Sequence, residues 1–405
     1  MRSIDEIRTA LADGSAVILT ASELKKRITQ GDTVSDVDVV TCGTCGVMSG
    51  TYAVLSVPVA PPGTFSRADT ISLNGVPAIP GPCPNERLGL VDLMVFGTAH
   101  ADDRYGGGHL FHDLIAGEEI HIAVTSAGKD YEAYVTLSDL PFARLFTTRS
   151  AFKNYSAIIN QSSGPVKTIF SALPLQGTST QATVSGCGEI NPVENDPTLR
   201  FLSAGSPVIL NGAGGRVIGT GTRSSPYRPN LSVHADLKEM DAHFCGGFRT
   251  AAGPECITSI GTAIPVVDTD VLSSLSVLDC DIAMPVVDIS DRQPVGTASY
   301  EQVWTGTATR VLYHPERCLH CSPCDARTAC PVDAIREDGT INQTQCFVCG
   351  TCVQICKGSV YEGNFGSITY EGAGIPIVLR QSDRRRAEIL CRRVRDMLVR
   401  GEFQI

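Results

Sequence analysis

The 405-residue chain lacks any apolar run approaching the roughly 18 residues of a membrane-spanning helix. Its first residues, MRSIDEIRTALADG, lack a basic stretch followed by an apolar one, so they do not read as a secretory signal. A cytoplasmic location, with no membrane partner, is the expectation. Positive charge is also short: 33 Lys and Arg face 43 Asp and Glu. The deficit is concentrated in residues 1–305, with 20 basic against 32 acidic residues, while 306–405 holds 13 against 11. Such an acidic body argues against nucleic acid as a general partner. A dinucleotide fingerprint is missing too. Gly212-x-Gly214-Gly215 has no third glycine at the required spacing and runs into a β-like stretch, so it gives NAD only weak support.

Cysteine is what the chain has in quantity, 16 residues in all. In a reducing compartment so many are not expected as disulfides. Metal ligation, sulfur chemistry or redox chemistry must account for many of them. The length, with an apolar content of 42%, suits two or three domains with a sizeable core rather than a disordered chain.

Local patterns favour a mixed α/β body. Ile4, Ile7 and Leu11 share a helical face that Gly14 ends. A strand is expected over 16–20, and Thr20-Ala-Ser-Glu23 is a capping-box pattern opening a second helix through Ile28. Residues 38–41 read as a strand delivering the chain into Cys42-Gly-Thr-Cys45-Gly46 at a turn. Residues 56–86 look loop-like, 91–97 like a buried strand, and 119–126 and 132–137 like paired strands. Residues 138–161 read as helical, with Phe142, Leu145, Phe146 and Phe152 to bury. Ala263-Ile-Pro-Val-Val-Asp268 and Ala283-Met-Pro-Val-Val-Asp288 suggest two strands joined by a helix over 270–277. Residues 289–305 look like a linker.

After residue 317 the cysteine spacing changes. Cys318-x2-Cys321-x2-Cys324-x5-Cys330-Pro331 is followed by Cys346-x2-Cys349-x2-Cys352-x3-Cys356. Thiolates suit iron, and two-residue gaps let three sulfurs converge on one cubane face. The pattern resembles bacterial-type ferredoxins that carry two 4Fe–4S clusters. The resemblance implies one cluster on Cys318, Cys321, Cys324 and Cys356, and the other on Cys346, Cys349, Cys352 and Cys330, the fourth cysteine of each run serving the other cluster. Two departures stand: five residues rather than three precede Cys330, and Lys357 rather than proline follows Cys356. Zinc is the bland alternative, but its usual paired spacing differs.

The fold class expected is therefore an α/β or α+β catalytic domain with a mixed sheet over 1–305, plus a small α+β two-cluster ferredoxin domain over 306–380. An Arg-rich helix over 381–405 completes the chain. Ala387, Leu390, Cys391, Val394 and Leu398 fall at helical spacing there, with eight Arg against three acids between Arg380 and Arg400. It reads as a docking helix whose basic face meets the acidic body. A recognition site for an acidic redox partner is the sharper alternative.

Several strings of the body resemble one family. They are Val39-Val-Thr-Cys-Gly-Thr44, Tyr105-Gly-Gly-Gly-His-Leu-Phe-His-Asp-Leu-Ile-Ala-Gly117, Arg149-x-Ala-Phe-x-Asn-Tyr155 and Ser185-Gly-Cys-Gly-Glu-Ile-Asn-Pro192. Over most of residues 3–295 the chain resembles the homocysteine-biosynthesis (aspartate semialdehyde sulfurtransferase) family. Joined to the ferredoxin pattern, it resembles the group called methanogenesis marker protein 16, found in methanogenic archaea. The resemblance implies reductive insertion of sulfur into a small anionic aldehyde, giving a thiol. By chemical analogy and lineage the expected substrate is sulfoacetaldehyde, giving coenzyme M. Aspartate semialdehyde, giving homocysteine, is the alternative. A non-enzyme alternative is an iron–sulfur electron-transfer or sulfur-carrier protein in methanogenic cofactor maturation.

Turning R–CHO into R–CH2–SH needs a sulfur donor and two electrons. The partners expected are thus the aldehyde, a sulfide or persulfide donor and a low-potential electron donor; a homodimer is left open. Cys42, Cys45, Cys83 and Cys187 lie beside Gly or Pro, where a thiolate can be approached. They are candidates for carrying sulfur as a persulfide, or for holding a third iron–sulfur cluster. Cys280 and Cys391 read as packing, while Cys245 and Cys256 carry no assignment. His109 is the candidate proton donor, with His112 second; a satisfied structural histidine is the alternative. Gly106, Gly107 and Gly108 at a helix start offer backbone N–H groups to a carboxylate or sulfonate, with Arg104 and Arg149 as a clamp. Asn154, Tyr155, Asn160, Glu189, Asn191 and Asp196 are candidates to orient substrate, though such Asn and Asp residues beside Pro also simply make turns.

Overall fold

The computed structural model describes residues 2–81, 83, 86–304 and 310–405. The first two helices form where the sequence stops and caps them. Ile4–Asp13 starts on a Ser3 capping box and ends at Gly14, which takes the left-handed conformation. Ala21–Thr29 starts on the reciprocal Thr20 and Glu23 bonds.

Two mixed sheets carry the fold. In the larger, 14-stranded sheet, Ile18–Thr20 pairs in parallel with Val39–Val47. Val39–Val47 pairs antiparallel along its whole length with Gly253–Pro265. The order continues through Pro207–Leu210, Ala213–Thr220, Asn230–Asp236 and Phe142–Phe152 to Thr51–Pro58 and the strands beyond. Leu110, Phe111 and Leu114 of the helix Gly107–Ala116 share that sheet's main core. The second sheet has six strands, in the order Pro294–Ser299, Ala283–Asp288, Ala157–Ile159, Ala182–Val184, Ala373–Arg380 and Ser367–Tyr370. It thus draws its last two strands from the 306–380 segment. A two-stranded ribbon of Leu312–Tyr313 and Tyr361–Glu362 brackets the cysteine-rich stretch. Among the described residues no helix is long and apolar enough to cross a membrane.

The terminal helix, Arg384–Val399, buries Ala387, Leu390, Cys391, Val394 and Leu398. Full burial of each large aliphatic side chain stabilises by about 1.5–3 kcal/mol. The helix lies against Val39–Val47 and Gly253–Pro265, and glycine lets it come close. A Cβ at Gly43 would stand 2.6 Å from the Ala387 carbonyl oxygen, and one at Gly261 2.8 Å from Leu390 and Val394. Its arginines meet acids of the body: Arg384 with Glu189 and Asp279, Arg393 with Asp241, Arg395 with Glu23.

Four local expectations are corrected. Residues 138–161 are not helical; Phe142–Phe152 is a strand with alternating burial, followed by the strand Ala157–Ile159. Residues 56–86 are not loop throughout, because Thr51–Pro58, Thr70–Leu73 and Val76–Pro80 pair within the large sheet. The two Pro-Val-Val-Asp strings flank a helix, Thr269–Leu275, but lie in different sheets. Residues 289–305 are no linker: Pro294–Ser299 is a strand, and Tyr300 is fully buried with its hydroxyl donating to the Ser185 carbonyl. The boundary drawn at 305/306 lies outside the described residues.

Candidate functional site

The Cys42-Gly-Thr-Cys45-Gly46 segment is not a turn. It continues the strand Val39–Val47, and both thiols are fully buried. Strand alternation puts Cys42 and Thr44 on one face and Cys45 on the other. Thr44 Oγ1 donates to Cys187 Sγ at 3.5 Å, and Cys187 Sγ donates to the Cys45 carbonyl at 3.7 Å. Cys42, Cys45 and Cys187 thus gather in one apolar cluster. Cys83 is exposed and takes no part. Burial pushes the Cys42 thiol up to about 12 and that of Cys187 up to about 11. All three are neutral thiols as packed, contrary to the approachable thiolates the sequence suggested.

Beside Cys42 lies Lys25, 2% exposed, a residue the sequence reading passed over. Its Nζ donates to the Leu275 carbonyl and to Asn195 Oδ1. Burial brings the ammonium down to about 8, against the pull of Cys42, Glu189 and Asp279. Its signal was positional, because Ala21, Leu24, Lys25 and Ile28 form the inward stripe of their helix.

The loop that carries Cys187 is cross-braced. Asn154 Nδ2 donates to the Gly188 carbonyl at 2.8 Å, and its Oδ1 accepts from Gly188 N and Asn191 Nδ2. Asn191 Nδ2 also donates to the Phe152 carbonyl. Glu189 and Asp279 exchange carboxylate-to-amide bonds, and Arg384 spans both, reaching Glu189 Oε1 at 2.8 Å. Asn154, Glu189 and Asn191 therefore hold the Cys187 loop, with their bonding capacity spent on the chain. Asp196 accepts from the amides of Arg200, Phe201 and Leu202, and Asn160 bonds the Gly164 and Leu175 carbonyls.

Gly106, Gly107 and Gly108 do not cradle an anion. Gly107 N donates to the Ala99 carbonyl and Gly108 N to the Gly97 carbonyl, while Gly106 N is taken by His109 Nδ1. Their glycine identity serves close packing: a Cβ at Gly108 would stand 2.8 Å from Cys256 Cα. The Arg clamp is not formed either. Arg104 pairs at the surface with Asp333 at 3.4 Å, and Arg149 stacks on Phe152 and Tyr155. Tyr155 accepts from Arg292.

His109 does line a cleft of about 520 Å3, together with His112, His243, Cys245, Asp333 and Arg386. Because Nδ1 accepts from Gly106 N–H, the ring proton belongs on Nε2, which is buried and has no partner among the described residues. Burial, then Arg249, brings His109 down to about 4. At neutral pH it is an uncharged hydrogen-bond donor rather than an acid.

The C-terminal cysteines face two further cavities. One, of about 540 Å3, is walled by Cys318, Cys321, Cys324 and Cys356. The other is smaller, apolar and more enclosed, and is walled by Cys330, Cys346, Cys349 and Cys352. Burial and the neighbouring thiols push Cys349 up to about 12 and raise Cys352 well above the ordinary thiol value. Only a cation in such a cavity would hold these sulfurs as thiolates. Among the described residues no three such side chains are drawn together as around a single ion; they stand as cavity walls. The segment is clamped to the rest of the chain. Arg249 bonds Asp333 and the Cys330 carbonyl, Arg385 the Cys346 carbonyl, and Arg386 the Thr344 and Gln345 carbonyls.

The profile of a family described as homocysteine biosynthesis enzyme, sulfur-incorporation, matches residues 16–405. An uncharacterized protein of Methanothermobacter thermautotrophicus is 45% identical over 99% of this chain and 94% of its own. Another, from Methanocaldococcus jannaschii, is 40% identical over 96% of this chain and 98% of its own. The L-aspartate semialdehyde sulfurtransferase of Methanosarcina acetivorans is 29% identical, the match covering 76% of this chain and 63% of that one. No solved structure matches. The profile runs unbroken from the thiol-bearing strand through the cysteine-walled cavities to the terminal helix, and this chain belongs to the homocysteine biosynthesis family of sulfur-incorporating enzymes.

Proposed function

We propose that the protein is a reductive sulfurtransferase that turns a small anionic aldehyde into a thiol, with L-aspartate semialdehyde, giving homocysteine, as its first substrate. The relatives named for that aldehyde move it ahead of sulfoacetaldehyde. One packing fact carries the reading. Phe347 and Cys349, from the wall of the buried cysteine cavity, belong to the same apolar cluster as Cys42, Cys45 and Cys187. Groups suited to electron storage and groups suited to sulfur thus share a core.

The reaction is R–CHO + HS− + 2e− + 3H+ → R–CH2–SH + H2O. Four soft donors around each cavity fit iron–sulfur clusters, with Cys318, Cys321, Cys324 and Cys356 holding one and Cys330, Cys346, Cys349 and Cys352 the other. When bound, two such clusters supply electrons at low potential, on the order of −400 mV or below. Cys42, Cys45 and Cys187 would take up sulfur as persulfide only by exchange with a persulfide donor, and Cys42 and Cys45, on opposite faces of one strand, do not converge on a third cluster. The Lys25 ammonium offsets negative charge at Cys42. His109 donates its Nε2 proton in a hydrogen bond to the aldehyde oxygen, and Arg386 supplies positive charge in the same cleft.

The test supplies iron-loaded protein with sulfide, a low-potential reductant and each aldehyde in turn. Homocysteine from aspartate semialdehyde is expected. Coenzyme M from sulfoacetaldehyde alone would reverse the substrate order. No thiol from either aldehyde would overturn the enzyme reading.

A further inference from the structure

Cys245 and Cys256 have no chemical role in the reaction above. Cys245 immediately precedes the strand Gly246–Thr250, and Cys256 lies on the paired strand Gly253–Pro265. Gly247 pairs with Cys256, so Cys245, two residues earlier, is the diagonal neighbour of Cys256 on the same face. The two thiols interact and share one core cluster, and Cys256 Sγ donates to the Ile257 carbonyl at 3.6 Å. Glycine lets the surrounding backbone close in: a Cβ at Gly97 would stand 2.8 Å from Cys256 Cβ.

The two thiols are not equivalent. Cys245 lines the 520 Å3 cleft beside His109 and His112, whereas Cys256 lies behind it, fully buried. The neighbouring Cys245 thiol, and then burial, push Cys256 well above the ordinary thiol value. Cys245 is itself 2% exposed, and a sulfur in a cleft wall backed by a second thiol is the arrangement of an attacking and a resolving cysteine.

We propose that Cys245 and Cys256 form a reversible dithiol–disulfide pair that takes sulfane sulfur from a small persulfide in the cleft and releases it there as sulfide. The role, though not the pairing itself, rests on the sulfurtransferase reading. In the first step Cys245 attacks the outer sulfur of the donor: R–S–SH + Cys245–SH → R–SH + Cys245–S–SH, with no net oxidation. In the second, Cys256 attacks the inner sulfur: Cys245–S–SH + Cys256–SH → Cys245–S–S–Cys256 + HS− + H+. The sulfane sulfur gains two electrons and the two cysteine sulfurs lose them. Two one-electron transfers from a low-potential donor, with two protons, restore both thiols. Sulfide is thereby generated beside His109, where the aldehyde oxygen is bonded.

The experiment treats the full-length, iron-loaded protein anaerobically with inorganic polysulfide. Remaining thiols are then blocked with N-ethylmaleimide and the peptides mapped by mass spectrometry. Wild-type protein is expected to release sulfide in proportion to chain and to yield a linked Cys245–Cys256 peptide that reductant separates. Cys256→Ser should keep one added sulfur atom on Cys245 and lose the sulfide burst; Cys245→Ser should lose both. Full alkylation of both cysteines in treated wild-type protein, with no linked peptide, overturns the proposal without recourse to any variant. Aldehyde turnover is assayed separately. A linked peptide without thiol product sinks the proposed function and leaves the pair standing; turnover without a linked peptide does the reverse.

Discussion

In the body, Cys42, Cys45 and Cys187 are wholly buried among Leu24, Ile190, Phe248 and Ile257, and their sulfurs help fill the space between strand and loop. In the C-terminal segment eight cysteines bound two voids instead, one open enough that Cys321 is exposed, the other walled also by Ile335, Ile341 and Phe347. Burial raises thiol pKa values in both regions, so that property does not separate them. What separates them is what stands opposite each sulfur. A packed thiol has neighbours on all sides and can gain an atom only if the packing yields. A void bounded by four soft donors is shaped for a group that brings positive charge with it.

Variants test this contrast at decreasing cost. Cys349→Ala should do the most damage to metal content, lowering iron from about eight atoms per chain to about four, as read by iron analysis and low-temperature EPR. Unchanged iron would remove the buried cavity from the ligand sets. Arg384→Ala leaves Glu189 and Asp279 buried without their cation, and should cost about 3–5 kcal/mol in urea unfolding. A smaller loss for Arg384→Lys would show how much the two-pronged geometry matters. Gly43→Ala drives a methyl group toward the Ala387 carbonyl and should cost about 1–3 kcal/mol; a neutral result would mean that the thiol-bearing strand is loosely packed after all.

His109 gives a pH signature. Its folded pKa of about 4 lies below the ordinary 6.5, so the unfolded chain binds a proton that the folded chain refuses. Its contribution is complete above 6.5, and stability falls as pH drops through 6.5 toward 4. His109→Gln should flatten that fall when urea midpoints at about pH 7 and about pH 5 are compared; an unchanged slope would place the ring in water. Cys83→Ser, at the small end, should shift stability by less than about 0.5 kcal/mol and leave sulfur incorporation intact.

The legible parts of the sequence were those fixed by short-range chemistry. The Thr20–Glu23 box and the five buried positions of the terminal helix need only neighbours one to four residues away. Phe142, Leu145 and Phe146 fit that same spacing, and so residues 138–161 read as helix. The strand buries Ala143, Leu145 and Thr147 instead, leaving Phe142 exposed. Tertiary pairing with Thr51–Pro58 and Asn230–Asp236 decides the matter, and no local pattern reports it. The site follows the same division. Individual cysteines stood out by type and flanking glycine, but the meeting of Cys187 with Thr44 and the Cys45 carbonyl depends on a long-range contact. Lys25, Asp279 and Cys256 carry no local mark of their company. The triple glycine was noticed for its backbone amides, whereas its use is steric.

The strap made by the chain's end has a consequence for biogenesis. Val47 N donates to the Gln381 carbonyl, Asp383 N donates to the Cys45 carbonyl, and Gly46 bridges Ser382. One edge of the strand Val39–Val47 is therefore finished by residues 381–383, which are synthesised long after it. Until then the Cys45 carbonyl and its neighbours lack their final partners, while every cysteine of the 318–356 segment has already been synthesised. Loading of that segment can thus precede the closing of the thiol core, and a chain truncated before residue 381 would release an early strand that never completes its pairing.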